Sequence, residues 1–398
     1  MTGHQTTGPL AGLRVVDMTT SYAGPTAAMY LADLGADVIK VERPPYGDDA
    51  RAWGPPFVGD DSAWFLSANR NKRSASLDIT EPTGRAALEQ LLEHADVFIQ
   101  NLNPSKLERL GIDGPTLRHR YPRLIHCSLS GFGADGPAAD KPGYDLVAQA
   151  RSGLMSVTGQ KGGTPQRVST ALSDITTGMC AALAICAAVV RQRTTGEGDL
   201  VDVSLLDSDL ALMAPRIAAY VAGEPEPAPS GGTDSVLAVY QVFPTADREL
   251  VVAIGNDVLW QRFCDIIGLA DLGRDATLAD NAGRRAQRSR LTEAISAVLV
   301  TRPADDWVAV FGEAKIPCSL VARLSEVVAD PQVRSRRSLL PVPGTNDAVS
   351  VHSPFRLASI ATPRNDAAPA LGEHTREVLL EAGLSTEQVD ELLRAVAS

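Results

Sequence analysis

One aspartate, Asp174, is placed where a carboxylate can act as a nucleophile. It lies in the stretch Ala171-Leu-Ser-Asp-Ile-Thr-Thr-Gly-Met179, where a polar loop leads into a long apolar helix. The N–H groups of a first helical turn have no partner within the helix, and together with the helix dipole they favour the ionised form of a carboxylate. Aspartate is also a preferred helix cap. Taken alone, Asp174 therefore indicates either a cap or a nucleophile.

Several motifs accompany Asp174 in a definite order. They are Ala23-Gly-Pro25, Asp37-Val-Ile-Lys-Val-Glu-Arg43, Asn69-Arg-Asn-Lys-Arg-Ser74 and Pro142-Gly-Tyr-Asp-Leu-Val-Ala-Gln-Ala150. In this order and spacing the chain resembles the family III CoA-transferases, which include formyl-CoA, carnitine and dicarboxylate CoA-transferases, with α-methylacyl-CoA racemase as a divergent relative. The resemblance runs from Leu10-Ala-Gly-Leu-Arg-Val-Val-Asp17 to Leu371-Gly-Glu-His-Thr375.

The resemblance implies that coenzyme A is a substrate and that no cofactor is permanently bound. By matching position, the residues expected to contact coenzyme A are Thr20, Ser21, Tyr22, Ala23, Arg43, Lys72, Asn101, Arg109 and Tyr144. Arginine and lysine form charge-assisted hydrogen bonds with phosphate oxygens. The alternatives are a solvated basic loop for the run around Lys72 and ordinary packing for Tyr144.

The reaction implied is transfer of coenzyme A from an acyl-CoA to a free carboxylic acid through an aspartyl-CoA thioester on Asp174. An ionised carboxylate at this position needs no general base. Backbone N–H groups from the Ser173–Ile175 turn or from glycine loops are expected to stabilise the oxyanions. A closing loop from the small domain is expected to exclude water.

Two other functions remain open. In the racemase a histidine stands where this chain has Tyr144, and tyrosine, with an ordinary pKa of about 10, is a poor base at neutral pH. That difference favours transfer over racemisation. A non-catalytic CoA-binding protein is the third possibility, and an alanine at position 174 would distinguish it.

The acyl groups are less well defined by the sequence. Formyl-CoA transferase has glutamine where this chain has Tyr22, which argues against formyl-CoA as the donor. The stretches Gly47-Asp-Asp-Ala-Arg51 and Trp53-Gly-Pro-Pro-Phe-Val-Gly59 look more like the dicarboxylate branch. Arg51 would then pair with the distal carboxylate of the substrate, or else form a surface salt bridge.

Composition limits the possible partners and cofactors. The net charge of −11 argues against nucleic acid, which needs a basic face. The odd count of scattered cysteines indicates reduced thiols in the cytoplasm, and the six histidines show no metal-ligand spacing.

The first seven residues have neither a basic nor an apolar region, so no signal peptide is predicted. The apolar run Met179 to Val190 is too short for a membrane span.

Alternating apolar runs and helical patterns predict an α/β fold: a Rossmann-like large domain with a mostly parallel sheet, and a smaller α+β domain. We predict the large domain over 1–205, a linker over 206–232, the small domain over 233–325, a second linker over 326–345, and a return to the large domain over 346–398. The resemblance also implies an interlocked homodimer.

The apolar runs and helical patterns also give individual elements of the large domain. The predicted strands are Leu13–Asp17, Ala36–Glu42, Asp96–Gln100 and Leu124–Leu129, and the predicted helices are Pro25–Leu34, Gly84–His94 and Ile175–Arg193.

Two further patterns are an apolar helix and a glycine-rich segment. The helix from Ile175 is apolar on nearly all sides, which predicts that it is buried. The segment Gly131-Phe-Gly-Ala-Asp-Gly136 matches GxGxxG, but the flanking Pro137 and Pro142 leave no room for the helix that a dinucleotide fingerprint requires. We therefore predict a glycine-rich loop near the active site.

Overall fold

The computed structural model describes residues 7–345, 348–360, 362 and 364–397. The first six residues lie outside this range. The prediction about a signal peptide depends mainly on these residues. The chain forms two compact units. The larger contains residues 7–155, 167–225 and the described residues from 334 onward, and the smaller contains 156–166 and 226–333.

The strands and helices are numbered in chain order. The strands are β1 (Arg14–Met18), β2 (Asp37–Glu42), β3 (Phe57–Val58), β4 (Asp61–Ser62), β5 (Lys72–Ser76), β6 (Val97–Gln100), β7 (Ile125–Ser130), β8 (Leu200–Ser204), β9 (Tyr240–Pro244), β10 (Glu249–Ala253), β11 (Cys318–Leu320), β12 (Leu339–Pro341) and β13 (Val349–Val351). The helices are α1 (Ala23–Asp33), α2 (Ala63–Asn69), α3 (Pro82–Glu93), α4 (Pro104–Leu110), α5 (Gly114–Arg120), α6 (Asp145–Arg151), α7 (Leu154–Val157), α8 (Leu172–Thr195), α9 (Leu205–Val221), α10 (Asp257–Ile266), α11 (Ala270–Arg274), α12 (Asn281–Ala286), α13 (Arg288–Leu299), α14 (Ala304–Glu313), α15 (Leu324–Ala329), α16 (Pro331–Ser335), α17 (Thr375–Glu381) and α18 (Thr386–Ala397).

The larger unit is built on a six-stranded sheet in the order β5-β2-β1-β6-β7-β8. Every neighbouring pair in this sheet is parallel, which confirms the predicted α/β class. The strand order reverses between β1 and β6. In open α/β sheets, ligands bind outside the carboxyl ends of the strands at such a switch point.

Both faces of the sheet are covered by helices. On one face α1 and α8 pack together over β1, β6 and β7, with Leu31, Ile99 and Ile185 among the fully buried side chains. On the other face α3, α17 and α18 form a second cluster around Phe98 and Leu379. Burial on both faces explains why the central strands show continuous apolar runs.

The four strands predicted from apolar runs lie within one residue of the observed β1, β2, β6 and β7. Strand β5 was missed because its sequence, Lys72-Arg-Ser-Ala-Ser76, is polar and resembles a basic loop. All five residues are nevertheless buried. Arg73 is neutralised by Asp37 on β2 and by Glu377 and Glu381 on α17, so its partners come from distant parts of the chain.

Helix α8 differs from the prediction that it is buried on all sides. Its inner face packs against α1, but Met179, Leu183 and Val190 are exposed. These three residues are four and seven positions apart and therefore share one face of the helix. By length and composition alone α8 is also long and apolar enough to cross a membrane, a property that core helices of soluble proteins share.

The predicted linker 206–232 is wrong over most of its length, because α9 occupies Leu205–Val221. The prolines and glycines that suggested a linker are concentrated in 222–232, whereas α9 tolerates its single internal proline, Pro215. The predicted second linker, 326–345, likewise contains α15, α16 and β12 in part or whole.

The smaller unit is an α+β structure with its own core. An antiparallel sheet in the order β11-β10-β9 is covered by helices that contribute Trp260, Phe263, Trp307 and Phe311. This agrees with the expected smaller α+β fold.

Candidate active site

A pocket at the carboxyl ends of the central strands contains Asp174. Its walls come from the segments that follow β1, β6, β7 and β8, together with the start of α8, and it has a cavity of about 80 Å³. The lining residues are Thr20, Ser21, Ala23, Asn101, Leu129, Ser130, Gly131, Gly143, Tyr144, Asp174, Thr177 and Leu205. Six of the ten residues predicted from sequence therefore meet in one pocket: Asp174, Thr20, Ser21, Ala23, Asn101 and Tyr144.

Asp174 is the third residue of α8 and does not cap the helix. The cap position is Ala171, which makes no side-chain cap bond. The first-turn donors are instead taken by Asp145 of α6, whose Oδ1 accepts the N–H of Ser173 at 2.8 Å and that of Asp174 at 3.3 Å. Because a different residue supplies the capping carboxylate, the carboxyl group of Asp174 is not committed to that role.

The environment of Asp174 opposes its ionisation, contrary to the expectation from the helix dipole. Burial, followed by the negative charges of Asp145 and Asp209, raises the pKa of Asp174 to about 7. The favourable contribution of a helix N-terminus, typically ~0.3–1 kcal/mol, is smaller than the combined desolvation and like-charge effects. At neutral pH the nucleophile is therefore only partly ionised, whereas the sequence predicted an ionised carboxylate.

The loop from Thr20 to Ala23 forms one wall of the pocket, and its backbone is held by side chains. Asn101 accepts the N–H of Thr20 at 3.2 Å and donates to the carbonyl oxygen of Thr20 at 2.9 Å. Ser21 adopts a left-handed conformation with φ of 73°, which is uncommon for a residue other than glycine. Asp48 stabilises this conformation by accepting the N–H of Ser21 at 2.9 Å.

Two buried lysines support the same loop from below. Lys40 Nζ donates to the carbonyl oxygen of Thr19 and to Asp48, both at 2.8 Å, and its side chain is fully buried. Lys72 Nζ donates to Asp17 at 2.9 Å, to the carbonyl oxygen of Pro25 at 2.8 Å and to Asn69 at 2.9 Å.

The structure therefore contradicts the prediction that Lys72 contacts phosphate. All three hydrogens of its ammonium group are used internally, and its side chain is fully buried. Burial lowers the pKa of Lys72 to about 8, which is the behaviour of an interior lysine. Lys72 holds β1, α1 and α2 together, and the local sequence alone did not distinguish this from a phosphate-binding role.

The remaining predicted residues, Tyr22, Arg43 and Arg109, do not line the pocket. The hydroxyl of Tyr22 is 2.8 Å from Ser67 Oγ, and its ring meets Trp64 edge to face. Burial and, to a smaller extent, the charge of Asp174 raise the pKa of Tyr22, which indicates that the two residues are close.

Arg43 is exposed and pairs with Asp49 at 2.6 Å. Arg109 is exposed in the last turn of α4.

Tyr144 and Arg51 have contrasting positions. Tyr144 lines the pocket, is 63% exposed and precedes α6, so it is not a packed core residue. Arg51 is buried, whereas the sequence suggested either a contact with a substrate carboxylate or a surface salt bridge. It binds both oxygens of Glu42 and one oxygen of Asp61, and its guanidinium lies 3.8 Å from the ring centre of Phe65. Arg51 is thus unavailable to a substrate carboxylate.

The GxGxxG segment forms a loop between β7 and α6, as predicted, and no helix begins within it. Gly131 and Gly143 are packed backbone to backbone, because a Cβ on Gly131 would lie 2.7 Å from the Cα of Gly143. This close approach requires glycine at both positions and brings Tyr144 to the mouth of the pocket.

Asp145 and Asp209 are the important residues that sequence reasoning missed. Asp145 directly follows Tyr144, and its position at the start of a helix was the available sequence signal. Asp209 lies inside the stretch predicted as a linker, so no role was assigned to it. Within the described residues, no group of three or more His, Cys, Asp or Glu side chains is arranged to hold a metal ion, so the three aspartates do not form a metal site.

Comparisons with known proteins agree with the sequence resemblance. The model of the family described as CoA-transferase family III matches residues 10–375. A succinate–glutarate CoA-transferase of Agrobacterium fabrum is 37% identical over 94% of this chain and 95% of its own length. A succinyl-CoA:glutarate CoA-transferase of Mus musculus is 37% identical over 94% of this chain and 86% of its own length. Other similar proteins are named for oxalate and mesaconate.

A solved structure supports the same relationship at the level of fold. A CAIB/BAIF family protein from Brucella suis superimposes with a TM-score of 0.82 at 33% sequence identity, covering 94% of this chain and 100% of its own.

Proposed function

The chain belongs to CoA-transferase family III, and we propose that it transfers coenzyme A between two carboxylic acids through the carboxylate of Asp174. The observation that carries this proposal is the position of Asp174 in a pocket shared with the Thr20–Ala23 loop, Asn101 and Tyr144. Asp174 is free of the capping role, which Asp145 performs. CoA thioesters are the substrates of this family, and we propose that no cofactor is permanently bound.

The reaction proceeds by two kinds of acyl exchange. The Asp174 carboxylate attacks the carbonyl carbon of the donor acyl-CoA, which forms a mixed anhydride and releases the CoA thiolate. The thiolate attacks the aspartyl carbonyl, which releases the donor acid and leaves an aspartyl-CoA thioester. The acceptor carboxylate then attacks this thioester, and the thiolate released attacks the acceptor acyl carbon to give the new acyl-CoA and free Asp174.

The oxyanions of these steps require N–H donors. The N–H groups of Ser173 and Asp174 already donate to Asp145, and that of Ile175 donates to Ala171. The α8 turn is therefore an unsuitable source. We propose the glycine loop instead, because Gly143 and Tyr144 line the pocket and their N–H groups have no acceptor among the described residues.

Coenzyme A is proposed to enter over the Thr20–Ala23 loop, with Tyr22, Asn101 and Tyr144 around its reactive end. Arg43 and Arg109 are the proposed phosphate contacts. The pair between Arg43 and Asp49 is exposed on both sides, and exposed pairs contribute only ~0–1 kcal/mol. A phosphate can replace Asp49 at little energetic cost.

We propose that the acids exchanged include a dicarboxylate. The support is the set of similar proteins named for succinate, glutarate, oxalate and mesaconate. Arg51 is excluded as the group that recognises the distal carboxylate, because Glu42 and Asp61 occupy it.

A homodimer is proposed as the functional assembly, and the cytoplasm as its location. The support for the dimer is the apolar exposed surface of the larger unit. It includes Met179, Leu183 and Val190 on α8 and Leu212, Ile217, Tyr220 and Val221 on α9. Contiguous exposed apolar side chains indicate a protein interface, and the three residues of α8 share one face of the helix.

The proposed route is tested with purified wild type, Asp174→Asn and Asp174→Ala, using succinyl-CoA with glutarate, oxalate or mesaconate as acceptor. CoA ester exchange, followed by chromatography, should require both donor and acceptor and should fall by at least about 10³-fold in both variants. Coenzyme A binding, measured by calorimetry, should persist. Full turnover by Asp174→Asn would disprove the covalent route, and α-proton exchange with deuterated water without an acceptor would indicate a racemase.

A further inference from the structure

Helix α9 brings a second buried carboxyl group, Asp209, to the helix that carries Asp174. The side chain of Asp209 is fully buried. Its Oδ2 accepts a hydrogen bond from Ser173 Oγ at 2.8 Å and a longer one from Ser152 Oγ at 3.5 Å. Its Oδ1 is buried and has no hydrogen-bond partner among the described residues. A buried carboxyl group with one oxygen unpaired is costly for a fold, so its presence beside the reactive aspartate needs an explanation.

The hydrogen bonds connect Asp209 to Asp174 through a single residue. Ser173 precedes Asp174 in α8, and its hydroxyl donates to Asp209 while its N–H donates to Asp145. Asp145 and Asp209 thus approach the start of α8 from two other helices, α6 and α9. After burial, the charges of Asp145 and, to a smaller extent, Asp209 raise the pKa of Asp174. Burial also raises the pKa of Asp209, and the hydrogen bonds from Ser173 and Ser152 oppose that rise.

No cation compensates this group of carboxyls among the neighbouring groups that the structure describes. Arg151 on α6 stacks over the Phe132 ring at 4.6 Å, Asp202 on β8 accepts the N–H of Ala134, and Asp207 on α9 accepts from Ser204. The other ionisable groups on α1, α8 and α9 are Tyr30, Asp33, Cys180, Cys186, Arg191, Arg193, Arg216 and Tyr220, and Tyr22 directly precedes α1.

We propose that Asp209 is a positioning residue for the transfer reaction: it is linked to Asp174 through Ser173, and its carboxylate disfavours the free carboxylate of Asp174 relative to the uncharged thioester. This inference rests on the proposed function. When Asp174 becomes an aspartyl-CoA thioester it loses its negative charge, and the repulsion from Asp209 disappears. The buried charge therefore destabilises the free carboxylate relative to the covalent intermediate. It also makes the carboxylate more basic and a better nucleophile at neutral pH.

The test compares the pH dependence of kcat/KM for wild type, Asp209→Asn and Asp207→Asn. The Asp209→Asn substitution keeps an acceptor for Ser173 but removes the charge, so the acid limb should move down by about 1 pH unit. If the midpoint of the acid limb falls from about pH 7 to about pH 6, kcat/KM at pH 6, taken as a fraction of each protein's own high-pH plateau, should be about fivefold higher in the variant than in wild type. Asp207→Asn is the matched control on the same helix and should leave the limb in place. The ionisation of the acceptor acid is common to all variants and cancels.

A second readout follows the covalent intermediate. Wild type and Asp209→Asn are incubated with succinyl-CoA at pH 8, and the thioester is trapped and quantified by mass spectrometry of the peptide that contains Asp174. The neutral variant should accumulate severalfold less thioester. A purely structural role for Asp209 would lower kcat at every pH without moving the acid limb.

Asp209→Ser serves as a second neutral variant, since its smaller side chain admits a water molecule at the Ser173 hydroxyl. An unshifted acid limb in either folded neutral variant overturns the proposal. The titration of Asp174 is also measured without turnover, from pH-difference infrared spectra of proteins with and without Asp174→Asn. If Asp174→Asn proved active, the proposed function would fail, yet this titration in the Asp209→Asn background would still decide the present inference.

Discussion

At the residue scale, Asp174 carries an energetic penalty that follows from its position. Its side chain is partly buried and lies near two other aspartates, and its pKa is raised from the ordinary value of 3.8 to about 7. A carboxyl group whose pKa is higher in the folded state binds protons more tightly there. The contribution of Asp174 to the free energy of unfolding is therefore fully present below about pH 4. It is lost as the pH rises through about 7, because the carboxyl group then ionises in the folded state as well.

We therefore predict that Asp174→Asn abolishes transfer but stabilises the protein at pH 8. The amide cannot ionise, so the repulsion is absent, and the free energy of unfolding should rise by roughly 1–3 kcal/mol after allowance for partial solvation. Urea unfolding of wild type and variant at pH 4.5 and pH 8 measures the effect. The difference should shrink at pH 4.5, and a variant that is less stable than wild type at both pH values contradicts this account.

At the scale of elements, the loop that joins β1 to α1 depends on a buried charge network. Lys40 on β2 holds the carbonyl oxygen of Thr19, and Asp48 holds the N–H of Ser21 in its left-handed conformation. Breaking a buried ion pair by removing one partner typically costs ~3–5 kcal/mol, because the other charge remains buried and unpaired.

We predict that Lys40→Met lowers the free energy of unfolding by roughly 3 kcal/mol and raises KM for acyl-CoA more than it lowers kcat. The reason is that Asp48 loses its cation and the loop lining the pocket is no longer held. Denaturant unfolding and steady-state kinetics are the measurements. Arg120→Met is the control, because its pair with Glu89 is exposed and should be worth ~0–1 kcal/mol. Equal effects of the two substitutions would contradict the role assigned to the network.

At the scale of the whole molecule, α8 has two apolar faces, but only one is covered by the residues that the structure describes. The inner face lies on α1, whereas Leu183 and Val190 are 72% and 66% exposed. An amphipathic helix of a monomer would be polar at these positions. A second copy of the chain is the partner that we propose for this surface.

We predict that Val190→Glu converts the proposed dimer into a monomer or weakens its association by at least about tenfold, because a charge would be buried in an apolar interface. Sedimentation equilibrium measures the effect. Val258→Glu, on α10 of the smaller unit, is the control, since Val258 is also 66% exposed and the substitution is identical. A Val190→Glu protein with unchanged association would exclude this face from the interface.

Patterns local in the chain were sufficient for four of the six strands of the central sheet. Apolar runs located β1, β2, β6 and β7 to within one residue, and the prolines around 131–142 correctly excluded a dinucleotide-binding helix. The family resemblance and the place of Asp174 at a helix start were also readable, because each motif is a short stretch of neighbouring residues and the order of the motifs is given by the chain itself.

What only the tertiary structure decided concerns interactions between distant segments. The pKa of Asp174 depends on Asp145 and Asp209, which are 29 and 35 positions away, and the burial of Lys72 depends on Asp17. Charge–charge and desolvation energies vary with distance through space and with depth, and neither is encoded in the order of nearby residues. A lysine in a basic run reads as a phosphate ligand until the fold surrounds it with acceptors. An aspartate at a helix start reads as fully ionised until other carboxylates are packed beside it.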